Sequence, residues 1–305
     1  MNGFPAQKAA VLEDKAAMLE DFVTLWIGDS LSFLERACLR SVVRHGHRVA
    51  LYRYDRLEGV PEGVELRDAA EILPASSIVR HVRTGSPSLF SNRFRYELLR
   101  RNLGTWIDCD VYFVRPLPRG GEYLFASQGG QTLNTAILRL PSDSPVLREL
   151  LAIFDEQSVP PWLPLRARVA ATLRLAVRGQ SGLAEMPWGS AGPEALTWLA
   201  RVHGIEQHAV PSSRFYPVPW TQAHWLTDPL RPIESVIGPD TIAVHLWKER
   251  LSDIDLAAPP ASSFAARLCA EGAMDAIEGT TATGEADSEA STGSLHCSGF
   301  VQPAH

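Results

Sequence analysis

The chain has 305 residues, 45% of them hydrophobic and 21% charged, ordinary values for a globular protein long enough to bury one large α/β core. A formal charge of −6 gives no basic footprint for nucleic acid, so no nucleic-acid partner is expected. No stretch approaches the roughly 18 apolar residues of a membrane span, and the first residues carry acids where a secretion signal has an apolar core; a cytoplasmic location is expected.

Residues 1–20 read as a polar, helical N-terminal arm, and residues 21–270 as one domain. Phe22 to Gly28 is a buried strand by composition. Ser32 and Glu35 offer a capping box for a helix running to about His45, and Arg48 to Tyr54 alternates as a second strand. This is the β-α-β opening of a nucleotide-binding sheet. Ser91 is placed to cap a helix from Asn92 to Asn102, with Phe94, Leu98 and Leu99 on its apolar side and Gly104 at its end; Asn92 and Arg95 then share a face. Trp106 to Val114 reads as one buried strand closed by Pro116.

Further strands are expected at Leu124 to Ser127 and Thr135 to Leu140, with a helix from about Pro145 to Glu156. Leu165 to Arg178 carries four arginines and no acid. It reads first as a helix packed on the domain by Leu165, Val169, Leu173 and Ala176, and second as a helix lying on an anionic membrane at the inner face. Pro193 opens a helix to about His203, and Thr241 to Leu246 is a late strand. From Gly279 the composition turns to Thr, Gly, Ser, Ala and Glu, too poor in apolar surface to offset ordering, so residues 279–305 are expected to be disordered. Cys38, Cys109, Cys269 and Cys297 are scattered without Cys-x-x-Cys spacing, which suggests neither a zinc site nor a disulfide framework.

The segment that carries chemistry is Asp108-Cys109-Asp110 at the end of the apolar run. Carboxylates two residues apart on a strand point to one face and can turn together toward a hard cation such as Mg²⁺ or Mn²⁺. An acidic pair in such a run is costly without a cation or a hydrogen-bond network. The pattern alone carries little, and Asp253-Ile254-Asp255 repeats it without comparable surroundings.

Ser91, Arg95, Tyr96, Leu99, Gly104, Trp106, Asp108 and Asp110 together resemble the Asp-x-Asp sugar transferases of the capsular polysaccharide and initiating mannosyltransferase type, related to the glucosyltransferase domains of clostridial toxins. Weaker agreement, in family order, covers roughly residues 20–265, through YRYD (Tyr52 to Asp55), RDAAEILP (Arg67 to Pro74), WGSAGPEALT (Trp188 to Thr197) and AVHLWKE (Ala243 to Glu249). The resemblance implies a GT-A-like α/β fold, a mixed and mainly parallel sheet flanked by helices. It implies metal-dependent transfer of a hexose, with retention, from a nucleotide-sugar donor to a glycan, lipid-linked or protein acceptor. By the same resemblance Asp108, Asp110 and His245 would hold Mn²⁺ or Mg²⁺, with Asp110 and Arg95 as the catalytic pair. Trp26, Asn92, Arg95, Asp108, Gly189, Gly192 and Trp247 would contact the donor, Trp247 closing over the departing phosphate. The chain departs from the family pattern at Asn92, where many members have Asp, and at Gly104-Thr105, where many have Gly-Gly.

Three other readings compete. Gly28-Asp29-Ser30-Leu31-Ser32 spells the GDSL signature of an esterase family with Ser30 as nucleophile, but the Asp-x-x-His that would activate it is missing, since Asp240 lies five residues before His245. An Asp-x-Asp phosphatase would place its pair about a hundred residues earlier. A nucleotide-sugar-binding relic without turnover keeps the same fold. Were the enzyme inverting instead, a carboxylate base would be needed, and Glu194 and Asp253 are the candidates.

Overall fold

The computed structural model describes residues 19–273 except 156, 253, 255 and 257; the expected tail, the Asp253/Asp255 repeat and nearly all of the N-terminal arm lie outside the described residues. Leu19 and Glu20 belong to the domain: Leu19 bridges Pro118 and Glu20 is buried.

A six-stranded sheet has the order β3-β2-β1-β4-β7-β6. Its strands are β1 (Phe22–Leu25), β2 (Val49–Arg53), β3 (Val64–Asp68), β4 (Thr105–Ile107), β6 (Leu124–Gly129) and β7 (Thr132–Arg139). The first four are mutually parallel, while β7 is antiparallel to both β4 and β6. A separate two-stranded antiparallel ribbon joins β5 (Val111–Phe113) to β8 (Ala243–His245). The architecture is α/β, a mostly parallel mixed sheet flanked by helices, compatible with a Rossmann-like fold.

Because successive strand residues point to opposite faces, the sheet feeds two cores. Phe22, Val49, Leu51 and Ile107 pack with α1 (Phe33–Arg44), α6 (Phe264–Ala273) and the ribbon. Val23, Leu25, Ala50, Tyr52, Trp106 and Leu138 pack against α2 (Ser88–Arg100), α3 (Pro145–Ala152) and α5 (Pro193–Val202). The expected capping box is formed: Ser32 Oγ accepts from the Leu34 N–H, and Glu35 accepts from the Ser32 N–H at 2.9 Å. Such caps contribute about 1 kcal/mol.

Several expectations need correction. Trp106 to Val114 is two strands in two sheets, since the chain turns at Asp108–Asp110, where the Val111 N–H donates to the Asp108 carbonyl at 3.3 Å; the carboxylates leave the sheet instead of being desolvated within it. Helix α2 starts at Ser88, and Ser91 lies inside its first turn, donating its N–H to Pro87; the extra turn buries Phe90. The helix stops at Arg100, with Asn102 at φ 53°, so Gly104 serves close approach: a Cβ there would stand 3.0 Å from Val23 Cγ1 and 3.1 Å from the Asp21 carbonyl. Thr105 is accommodated, since it begins β4 and its hydroxyl donates to Glu20. The helix expected to reach Glu156 ends at Ala152.

Helix α4 (Leu165–Arg178) forms over the expected span, but its apolar side is not the packed one. Ala171 is fully buried against Leu163 and Met186, whereas Leu165, Val169, Leu173 and Ala176 are exposed.

Candidate metal centre at the sheet edge

The strand order reverses between β1 and β4: the chain steps from β1 outward to β2 and β3, then returns to β1's other side with β4. Ligands of open α/β sheets sit outside the carboxyl ends of the strands at such a switch point. Trp26 follows β1 there and Asp108 follows β4.

The ribbon completes the cluster. Pairing of β5 with β8 sets His245 opposite Val111, and the Leu246 N–H donates to the Asp110 carbonyl at 2.9 Å. His245 Nε2 then lies 3.2 Å from Asp110 Oδ1. Ligand atoms of Asp108, Asp110 and His245 all fall within 4.8 Å of one another, so this cluster could hold a metal ion. Two features of the donor set fit one. Asp108 accepts from Arg95 and from the Trp106 indole on the same oxygen, Oδ1, each at 2.6 Å, which leaves Oδ2 outside both of these hydrogen bonds. His245 Nδ1 is buried without a hydrogen-bond partner.

Burial alone would raise the Asp110 carboxyl, but the His245 charge and hydrogen bond, with the Lys248 N–H, outweigh it and hold Asp110 below the ordinary carboxylate range. Burial pulls the His245 imidazole down, and Asp110 more than restores it, holding it above its usual value. The Lys248 N–H reaches Asp110 Oδ2 at 3.0 Å because Trp247 takes a left-handed conformation, φ 56°, an uncommon one for a bulky side chain and typical of functional sites.

Asn92 and Arg95 do share a face of α2: Arg95 donates to Asn92 Oδ1 at 2.9 Å and stacks over Trp106, 4.7 Å from its ring centre. Arg95 is buried and fixes the Asp108 carboxylate through their ion pair. Gly192, at the head of α5, abuts Asn92; a Cβ would stand 3.1 Å from Asn92 Oδ1. Gly189, at φ 88°, turns the chain just before it. Trp26 is half-buried under the Lys248 ammonium, 4.8 Å from its ring centre. Trp247 is buried, its indole donating to the Val218 carbonyl at 2.8 Å and its ring centre 4.1 Å from that of His245. In this conformation it props the histidine and is not a lid.

Cys109 turns inward, its thiol 3.2 Å from the Thr24 hydroxyl, and burial pushes it far above an ordinary thiol. Ser30 hydrogen-bonds the adjacent Asp29 at 3.3 Å, and among the described residues no histidine hydrogen-bonds it. Burial raises the Glu194 carboxyl.

Two residues had no assigned role from sequence. Lys248 ties the cluster to the start of α1 through its ion pair with the buried Glu35. Glu249 lines an open cavity of about 310 Å³ with Trp220, Thr221, His224, Arg250 and Ser252. Glu249 is exposed on this open cavity; crowding of its carboxyl by surrounding protein and then the charges of Asp110 and Asp108 raise it to about 7. The available signal was their place directly after His245-Leu246-Trp247.

Compared with known proteins, the chain matches no family model and no curated protein.

Proposed function

We propose that this protein is a metal-dependent glycosyltransferase of GT-A type, moving a hexose from a nucleotide diphosphosugar to a hydroxyl acceptor with retention. The observation that carries the reading is the Asp108–Asp110–His245 cluster at the switch point between β1 and β4. The same crevice carries an aromatic ring, Trp26, on its β1 side and the Asn92–Arg95 pair on its α2 side.

Asp108, Asp110 and His245 hold the cation, and an imidazole beside two carboxylates suits Mn²⁺ better than Mg²⁺. A bound divalent ion supplies positive charge to the departing diphosphate. Arg95 fixes Asp108, and Trp247 and the Lys248 N–H fix His245 and Asp110, so the ligand set is oriented before donor arrives. Trp26 borders the nucleobase, Asn92 accepts or donates to a sugar hydroxyl, and Gly189 and Gly192 let the chain approach the sugar closely.

The test is nucleotide release from a panel of UDP- and GDP-sugars, with Mn²⁺ or with chelator, for the native chain and Asp110→Ala. The expected result is metal-dependent release from one donor, reduced about 10³-fold in the variant. Absence of both turnover and thermal stabilisation with every donor overturns the reading. Stabilisation without turnover reduces it to a nucleotide-sugar-binding protein.

A further inference from the structure

Most surface helices turn their large apolar side chains inward; α4 does the reverse. Leu165, Val169, Leu173 and Val177 recur at four-residue intervals on its outer side and are 67%, 50%, 61% and 82% exposed. Its contacts with the domain run instead through small residues, Ala167 and Ala171, against Leu163, Leu183 and Met186. Alanines let the helix lie close while the larger side chains face away, and a contiguous apolar row of this kind marks an interaction surface.

The charge on the helix selects the partner. All four ionisable residues of α4 are arginines. Arg174 and Arg178 share Glu185, at 3.2 and 3.6 Å. Neither Arg166 nor Arg168 has a carboxylate partner among the described residues, and both are exposed. Arginine stems can lie along an apolar surface while their guanidinium groups reach phosphate oxygens. A second copy of the chain fits less well, because symmetric self-pairing would set arginines against arginines. A peptide groove is also absent: the face is one convex helix, a shape that lies on a flat surface.

We infer that α4 docks this protein onto an anionic phospholipid bilayer, with Leu165, Val169, Leu173 and Val177 entering the headgroup boundary and Arg166 and Arg168 on lipid phosphates. After α4 the chain returns through Ser181, whose carbonyl accepts from Arg174 at 3.0 Å, to Gly189 and Gly192 beside Asn92. Vesicle binding is read without turnover, so this inference stands or falls separately from the transferase reading.

The experiment sediments the full chain with phosphatidylcholine vesicles, with and without phosphatidylglycerol. Binding is expected only to the anionic vesicles. It should weaken roughly tenfold or more in a Leu173→Asp, Val177→Asp double variant and in an Arg166→Gln, Arg168→Gln double variant. Because these side chains are exposed, the thermal midpoint of both variants should match that of the native chain. Failure of the folded native chain to bind anionic vesicles overturns the inference, as does undiminished binding by the aspartate variant. Self-association or capture of an acidic protein that the aspartate variant abolishes, without vesicle binding, also overturns it and reassigns the face.

Discussion

Carboxylates withdrawn from solvent, fully or in part, occupy both ends of the central sheet, and they are satisfied differently. At the amino end, Glu20 is buried with donors on each oxygen: Thr105 Oγ1 on Oε1 at 2.6 Å and the Arg139 guanidinium on Oε2. At the carboxyl end, Asp108 and Asp110 converge with His245, Arg95 and Trp106 both bond Asp108 Oδ1 and not Oδ2, and His245 Nδ1 has no hydrogen-bond partner. The first arrangement closes on itself and spends its charge on holding β1, β4 and β7 together. The second has ligand capacity left over. Buried charge therefore marks a site only where its hydrogen-bonding capacity is left incomplete.

Glu20→Ala should sharpen this contrast most. It strands Arg139 in a largely buried position, and a loss of about 3 kcal/mol in unfolding free energy is expected by denaturant titration. Mn²⁺ affinity of the protein that remains folded should be unchanged; a parallel loss of Mn²⁺ binding would break the distinction between the two ends.

Arg95→Lys is expected to act at the carboxyl end. A lysine cannot reproduce the fork that spans Asn92 and Asp108, so Asp108 loses its fixed orientation. Calorimetric titration should show Mn²⁺ affinity reduced roughly 10- to 100-fold. Unchanged affinity would mean that Asp108 needs no such support.

The smallest expected effect is a pH dependence at Glu249. Its carboxyl is raised to about 7 from an ordinary 4.5. The folded state therefore holds this proton more tightly than the unfolded chain does. Ionising it costs stability progressively as pH rises from 4.5 toward 7, by an amount that solvent screening of this exposed side chain keeps small. In chelator, Glu249→Gln should raise the thermal midpoint relative to the native chain above pH 7, with the gain vanishing below 4.5. Added Mn²⁺ should shrink the gain by offsetting the charges of Asp110 and Asp108. A gain independent of pH would assign the effect to packing instead.

Much of the α/β frame was legible in sequence because its signals are local. The Ser32–Glu35 capping box, the alternation through β2 and the apolar β1 each act within a few residues, and the structure has all three. The Asp pair was legible for the same reason, as carboxylates in an apolar run. What escaped was set by distant partners. Nothing near Trp106 announces that β4 pairs with β1 and β7 while β5, four residues on, pairs with β8. The periodicity of α4 revealed an apolar side without revealing that Ala171 would be the side the domain covers. Glu20 fell in the part read as an arm because its partners, Thr105 and Arg139, lie far along the chain.

The ribbon of β5 and β8 carries a consequence for the order of biosynthesis. Its strands bring together ligands from Asp108 and His245, which are 137 positions apart (245 − 108). Loops of that length close late, after local helices and the parallel strands have formed. A chain emerging from the ribosome thus completes its β-α-β opening well before His245 can join the two aspartates. On the proposed metal role, cation affinity would belong to the finished domain alone, and a product truncated ahead of β8 would carry the sheet without the complete Asp108–Asp110–His245 cluster.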